Sequence, residues 1–327
     1  MKYNNFSDTG WKVSEIGLGC WQIGWCWGDV EDQDARELLN KAIDKGINYF
    51  DTSDTYGDGR SERFLGELIK STSEKIYIST KLGRRIRGTS YTKGYKQAPM
   101  EEFLDRSLMN IGVDCIDIVQ LHCPPFEVIS KKETFEMMDE LKKKGKIQYY
   151  GVSVHTIADA MEAIKNPNVK SIQLVFNIFR QKPIEEFLKA AKKKNVAVIA
   201  RGPLASGLLT GQINKDTYFP ENDHRNYNRK GEAFDIGDTF SGVDFDKGIE
   251  AVERLKKILP KDFSLVDLSL KWILMQEGVT SVIPGAINKS QVEINSRSSE
   301  LEDISLLLPK IKSIYDELIK PDVHTRW

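Results

Sequence analysis

The 327-residue chain has only four cysteines, Cys20, Cys26, Cys115 and Cys123, and none forms a C-x-x-C pair. So few cannot staple a secreted scaffold, and their spacing fits no structural zinc site. Its four histidines, His122, His155, His224 and His324, are scattered, with no Glu-bearing i, i+4 pair on a helix, so no metal is expected. Net charge is nearly absent: 47 Lys+Arg against 48 Asp+Glu leave −1. That balance offers no electrostatic handle to nucleic acid or to an anionic membrane. No run approaches the roughly 18 apolar residues of a membrane span, and Met-Lys-Tyr-Asn-Asn-Phe-Ser-Asp at the N-terminus lacks a signal-like apolar core. A cytoplasmic protein without membrane contact is expected. Two phosphate-binding motifs are missing as well. Gly17-Leu18-Gly19-Cys20-Trp21-Gln22 has Gln where a dinucleotide fingerprint needs its third glycine, and no P-loop occurs.

What the chain does have is a repeat. Short apolar runs stand at Ile16–Cys20, Ile47–Phe50, Ile76–Thr80, Ile116–Leu121, Ile147–Val152, Ile172–Phe176, Val196–Ala200 and Ser281–Ile283. The first seven start about 24–40 residues apart, the length of one strand plus one returning helix. The runs are nearly continuously apolar, as expected for parallel strands buried on both faces. Helices are predicted between them: Asp32–Lys45 ended by Gly46, Thr134–Lys144 ended by Gly145, and one begun by Pro183. The polar stretch 212–243 reads as a long loop after the seventh run. Helices are expected at Phe245–Leu259 and Phe263–Gln276, and two more follow the eighth run. Splitting the chain at the polar stretch would strand the eighth run without a sheet. Residues 1–327 are therefore expected to form a single α/β domain, a (β/α)8 TIM barrel with extra C-terminal helices.

Polar residues cluster where the runs end. Asp51 and Tyr56 follow the second run, and Lys81 and His122 close the third and fourth. A closed barrel brings all eight strand ends to one face, whereas an open sheet gathers only those at its switch point. Singly, each residue has an ordinary explanation as a cap, packing group or snorkelling cation. Together they suit one task. An ammonium beside a phenol favours the phenolate and lowers its pKa, a carboxylate keeps the lysine charged, and an imidazole holds the substrate oxygen. Such a set protonates a carbonyl oxygen as a hydride arrives, or takes the proton back in reverse.

Phe50-Asp51-Thr52-Ser53-Asp54-Thr55-Tyr56-Gly57, with Ser61-Glu62 and Leu65-Gly66, resembles the signature of the aldo-keto reductase superfamily. So do Ser79-Thr80-Lys81, Asp117-Ile118-Val119-Gln120-Leu121-His122, Gly151-Val152-Ser153, Pro203-Leu204-Ala205-Ser206-Gly207-Leu208-Leu209 and Ile283-Pro284-Gly285. The resemblance spans about residues 10–300. It implies a nicotinamide-dependent oxidoreductase that interconverts a small carbonyl compound and its alcohol. Tyr56 would be the general acid, Lys81 and Asp51 its activating pair, and His122 the group that orients the carbonyl. Ser153, Gln173 and Asn177 would serve the nicotinamide side, and Arg201 would also bind the cofactor. Leu204, Ser206 and Leu208 would line the pyrophosphate loop, and Gly285, Gln291 and Asn295 the adenosine end. Some relatives act mainly as regulatory subunits of membrane channels, which is the alternative function. A barrel isomerase or lyase using the same acid-base pair is a third.

Two positions depart from the family pattern. Val154 stands where an Asn is common, so a carboxamide contact would pass to a neighbour such as His155. Ile287, two residues after Gly285, stands where NADP-preferring relatives place Lys, Arg or Ser. NADP(H) is the implied cofactor, with NAD(H) the alternative and Asn288 or Lys289 as substitutes for the missing group. Trp21, Trp25 and Trp27 make a dense aromatic patch after the first run, with Trp21 and Trp25 expected to wall the substrate site. The segment His224–Arg229 is expected to add hydrogen bonds or anion contacts. Neither the substrate nor the oligomeric state is encoded in a motif.

Overall fold

The computed structural model describes residues 1–24, 30–86 and 91–327. The chain opens with a short antiparallel hairpin, β1 (Tyr3–Asn5) and β2 (Lys12–Ser14), in which Tyr3 pairs with Ser14 and Asn5 with Lys12. Each of the eight apolar runs then contributes a strand. They are β3 (Leu18–Gly19), β4 (Tyr49–Asp51), β5 (Tyr77–Leu82), β6 (Ile116–His122) and β7 (Ile147–Ser153), followed by β8 (Val169–Val175), β9 (Ala197–Arg201) and β10 (Ser281–Val282). All neighbours are parallel and follow chain order from β3 to β10. Parallel bridges between Ile16 and Val282, and between Gly19 and Gly285, join the first strand to the last and close the barrel. At this seam the strands press together. A Cβ on Gly17 would fall 2.9 Å from the Tyr49 carbonyl oxygen. The glycines that failed as a phosphate fingerprint are therefore there for strand packing.

The barrel interior explains the near-continuous apolar runs. β5 is buried along its whole length, and the strands' outer faces pack on helices in one large apolar core. A second cluster fills the end of the barrel covered by the hairpin. Phe6, Trp11 and Val13 meet Tyr49, Tyr77, Ile118, Ile199 and Ile283 there, and Trp11 stacks on Tyr77 at 4.6 Å. The hairpin is thus a plug that shuts the end opposite the strand C-termini. No apolar run announced it, because its strands are three residues long and mostly polar.

The helices differ from expectation mainly at their ends. The first spans Asp32–Asp44, and Gly46 (φ +77°) supplies the left-handed turn out of it. Lys132–Lys143 starts two residues earlier than predicted. The segment opened by Pro183 is a single tight turn, Lys182–Ile184, before a helix at Phe187–Lys193. Helices at Phe245–Lys256 and Leu265–Leu274 follow the long loop. The second begins later than predicted because Ser264 and Asp267 form a reciprocal capping box. After β10 come Lys289–Arg297 and then Leu308–Ile314, which continues through a widened turn, Tyr315–Ile319, to Lys320–Val323. The polar stretch 212–243 folds into short turns, with one helical turn at His224–Tyr227. Among the described residues, no helix is long and apolar enough to cross a membrane.

Candidate active site

The C-terminal ends of the strands surround a cavity of about 1040 Å³. That is at the upper limit of the roughly 300–1,000 Å³ usual for small-molecule sites. Four of the predicted residues meet at its floor. β4 ends on Asp51, and the turn after it carries Tyr56. Lys81 is the last residue but one of β5, with its side chain 1% exposed. Its ammonium donates to Asp51 Oδ1 at 2.5 Å, to the Thr52 carbonyl at 2.8 Å and to Tyr56 Oη at 3.2 Å. The same ammonium lies 4.8 Å from the centre of the Tyr56 ring. His122, at the end of β6, sets its ring edge-on to Tyr56, with centroids 6.3 Å apart. Ser53 Oγ is 3.3 Å from His122 Nδ1, and the Tyr95 hydroxyl donates to the His122 carbonyl at 2.6 Å.

The chain of contacts continues below the floor. Gln173 Nε2 donates to Asp51 Oδ2 at 2.7 Å, and Ser153 Oγ donates to Gln173 Oε1 at 3.3 Å. Both oxygens of the buried Asp51 carboxylate therefore accept a hydrogen bond, which is what a charge in the interior requires. Four strand ends, β4, β5, β7 and β8, are tied through polar side chains into one network.

Burial corrects one electrostatic expectation. It pushes the Tyr56 phenol above its ordinary value, although Lys81 and Arg201 pull it down. Tyr56 is thus a neutral phenol at physiological pH, with a raised rather than a lowered pKa. Burial opposes the charge on Lys81, but Asp51 and Tyr56 outweigh it and hold the ammonium above its usual range. Burial, together with the positive charges of Arg84, Lys81 and Arg201, drives His122 well below the ordinary imidazole value. His122 is therefore neutral at pH 7.

Most of the other predicted residues border the same cavity. Ser153, Gln173, Arg201, Leu204, Ser206, Gly285, Gln291, Asn295 and Trp21 all line it. Two do not. Leu208 is fully buried, packed towards Gly248. Asn177 lies behind the wall, donating to the Gly202 carbonyl and to Ser241 Oγ, both at 2.8 Å. It positions the loop after β9 without facing the cavity. Trp21 sits between Tyr56 and the long loop, 4.9 Å from the His224 ring and 6.5 Å from Phe234. Trp25 and Trp27 lie outside the described residues. His224 itself is buried, held down to about 4 chiefly by that burial, while Arg225 next to it lines the cavity.

Two stretches of backbone suit a dinucleotide. After β9, Gly202, Ala205, Ser206 and Gly207 all have left-handed φ, at +60°, +47°, +53° and +97°. Non-glycine residues held there cost of order 1–3 kcal/mol each and concentrate at ligand clamps. Successive amides in such turns form concave anion sites. Opposite, a Cβ on Gly285 would fall 2.1 Å from Gln22 Nε2, so a larger residue there would have to displace the Gln22 amide. The helix Lys289–Arg297 starts beside it, and a helix N-terminus is a favourable place for a phosphate. Asn288 caps that helix by accepting from the Gln291 amide, and Gln291 Oε1 accepts from the Ile287 amide. Ile287 is 41% exposed, and Lys289 is ion-paired with Glu37. The cavity's size and these two amide-rich margins fit a dinucleotide. Among the described residues, the side chains near Ile287 add no uncommitted cation for a 2′-phosphate.

Sequence patterns missed the residues that crowd the cavity's other wall. Arg84, two residues beyond β5, reaches His155, and Asp238 comes from the long loop to pair with Arg201. Cys123 follows His122 with φ +50°. Burial opposes a charge on its thiol, but His155, Arg84 and Arg201 prevail and draw it down to about 6. Val154 turns its side chain into the core, and both ring nitrogens of His155 face arginines. No short motif joins these residues; only folding does. Among the described residues, no cluster of His, Cys, Asp or Glu is arranged to hold a metal ion.

The family model for the aldo/keto reductase family matches residues 15–306. The chain is 31% identical over 322 residues to aldo-keto reductase YhdN of Bacillus subtilis, covering 94% of each protein. It is 29% identical to aldo-keto reductase yakc [NADP(+)] of Schizosaccharomyces pombe, over 86% of this chain and 83% of that one. The holo form of aldo-keto reductase AKR11C1 from Bacillus halodurans superposes with a TM-score of 0.76 at 27% identity, covering 100% of this chain and 99% of the other. The chain belongs to the aldo/keto reductase family, a family of oxidoreductases, and its fold is the family's (β/α)8 barrel.

Proposed function

We propose that the protein is a carbonyl reductase that transfers a hydride between a nicotinamide dinucleotide and a small aldehyde, ketone or sugar, with Tyr56 as proton donor. The observation that carries this is the floor of the cavity. There a neutral buried phenol receives a hydrogen bond from an ammonium whose own charge is held by a carboxylate. When bound, the dinucleotide supplies the hydride. Tyr56 Oη holds the proton that goes to the carbonyl oxygen. Lys81 Nζ stays in place to stabilise the phenolate left behind, and Asp51 keeps that ammonium charged and fixed. His122, neutral, donates to the substrate oxygen from Nε2, the tautomer in which Nδ1 can accept from Ser53 Oγ 3.3 Å away. Ser153 and Gln173 face the nicotinamide side, Leu204 and Ser206 belong to the pyrophosphate loop, and Gly285, Gln291 and Asn295 border the adenosine. Trp21 walls the substrate, and residues 1–327 act as one barrel domain. The three described cysteines, all free thiols, agree with a cytoplasmic setting. A regulatory subunit with little turnover is the weaker reading, because the complete proton relay has no use there.

The test is a spectrophotometric assay of NADPH and NADH oxidation with a panel of carbonyl compounds. Turnover is expected with both cofactors, and its complete absence with every compound would overturn the proposal. NADP(H) is the expected partner, as the name of the fission-yeast relative supports. With Ile287 apolar and Lys289 engaged by Glu37, the preference for NADPH over NADH in Kd should stay below about tenfold, or about 1.4 kcal/mol. Titration of each cofactor by fluorescence checks it. The pH profile follows from the sign of the tyrosine shift. A raised pKa keeps the acid form to higher pH. Reductive kcat/KM should therefore stay level from about pH 7 to about pH 9 and fall only above about pH 10.

A further inference from the structure

The long loop ends in a strip, residues 235–242, that borders the cavity through Gly237, Asp238 and Ser241. There the strip is stitched to the loop after β9. Asp238 pairs with Arg201, and its carbonyl accepts from Ser206 Oγ at 3.2 Å. The Phe240 amide donates to the same Ser206 Oγ at 3.0 Å. Asn177 Nδ2 donates to the Gly202 carbonyl and to Ser241 Oγ. Gly202 and Ser206 belong to the left-handed run that suits a pyrophosphate, so the strip fixes one side of that run.

The strip's own backbone is strained. Phe240, Ser241 and Gly242 hold φ of +50°, +60° and +73° in succession, which costs energy at the two positions that are not glycine. Such geometry persists only where the surroundings over-determine it. Away from the cavity, the strip rests on Trp327, which is 7% exposed and does not itself line the cavity. A Cβ on Gly237 would fall 2.9 Å from Trp327 Cζ2, and one on Gly242 would strike the same ring, so the indole lies on bare backbone. Trp327 Nε1 donates at 3.2 Å to Asp235 Oδ1, which also accepts from the Gly237 amide at 2.7 Å. Arg180 stacks on the indole at 3.7 Å and donates to the Ser241 carbonyl at 3.4 Å. The segment that carries Trp327 is anchored independently: Asp322 pairs with Lys247 at 2.6 Å, and His324 Nδ1 lies 2.7 Å from Tyr315 Oη.

We propose that Trp327 is a positioning residue for cofactor binding: its indole holds the strip 235–242 against Ser206 and Arg201, and so sets the pyrophosphate loop before the dinucleotide arrives. This rests on the cavity being a nicotinamide-dinucleotide site. A loop already shaped for its ligand spares the binding energy that ordering it would consume. Trp327 acts through the strip and touches neither cofactor nor substrate.

Calorimetric titration with NADPH and with NADH tests this in the wild type, Trp327→Ala and Trp327→Phe, alongside steady-state kinetics. In Trp327→Ala the Kd of the tighter dinucleotide should rise about tenfold, the scale of one net hydrogen bond. The loss should fall on the cofactor's KM rather than on kcat, because β4, β5 and β6 carry the floor of the cavity. Trp327→Phe keeps a flat ring on Gly237 and Gly242 and should recover most of the affinity. A Kd in Trp327→Ala within about threefold of the wild type, or a loss confined to kcat, overturns the inference and leaves dinucleotide binding intact. A wild type that binds neither dinucleotide overturns the cofactor reading, and this inference with it. If Trp327→Ala does not fold, hydrogen exchange on the wild type decides. Bound dinucleotide should slow exchange in 320–327 as well as in 235–242, and unchanged exchange in 320–327 overturns the role of Trp327.

Discussion

Tyr56→Phe should lose carbonyl reduction by a factor of roughly 10²–10⁴ in kcat, the usual worth of a positioned general acid. The change deletes one oxygen atom from a ring held on one side by the Lys81 ammonium and flanked edge-on by His122. The ring still fills its place, so the cavity keeps its shape and the dinucleotide should bind with unchanged Kd. What disappears is the proton delivered to the carbonyl oxygen. Steady-state assay of NADPH oxidation, combined with fluorescence titration of the cofactor, separates the two. A variant with normal kcat would remove Tyr56 from the mechanism. A variant weakened equally in kcat and in cofactor Kd would make the hydroxyl a structural group.

Lys81→Met should be costly in a second currency, stability. Lys81 is fully buried and gives Asp51 its charge partner. Methionine matches its length but leaves the carboxylate, among the described residues, with only the Gln173 amide. Breaking a buried pair by removing one partner destabilises by about 3–5 kcal/mol, because the remaining charge is uncompensated. Urea unfolding should show that loss. The double variant Lys81→Met, Asp51→Asn should recover most of it, since neither charge remains. Activity should not return with stability, because the phenolate of Tyr56 would still lack its ammonium. A double variant as unstable as the single one would show that the lysine's value lies in packing.

Much of the fold was legible along the chain, and the reason is physical. Parallel strands buried on both faces must be apolar nearly throughout, so Ile116–Leu121 and Ile147–Val152 stand out against their charged neighbours. The terminal hairpin did not. Tyr3–Asn5 and Lys12–Ser14 expose most of their residues, and their worth comes from Phe6, Trp11 and Val13, which enter the barrel floor only after it has closed. Helix ends were misplaced where a cap decides them, as at Ser264 and Asp267, whose reciprocal hydrogen bonds outweigh the apolar character of Phe263.

The same division holds for the site. Asp51 and Tyr56 lie five residues apart, and Lys81 and His122 each end a recognisable run, so the floor of the cavity could be predicted from order and spacing. The direction of the tyrosine shift could not. Whether Lys81 or burial prevails depends on how much water the closed barrel leaves around the phenol, which no local pattern records. Asn177 and Leu208 sit on the right segments yet turn away from the cavity, because their partners, Ser241 and the helix carrying Gly248, come from beyond the long loop.

By itself, then, the sequence determined an eight-stranded α/β barrel of near-zero net charge, with Asp51, Tyr56, Lys81 and His122 at its strand ends. Periodicity and residue type are local quantities that survive in a linear string. Only the tertiary structure decided that Arg84, Cys123, His155, Arg201 and Asp238 share one wall. These residues come from different strand ends and a distant loop, and their mutual charges act over a few ångströms of low-dielectric interior. Electrostatics of that range depends on distance in space rather than along the chain, so it existed only once the barrel had closed.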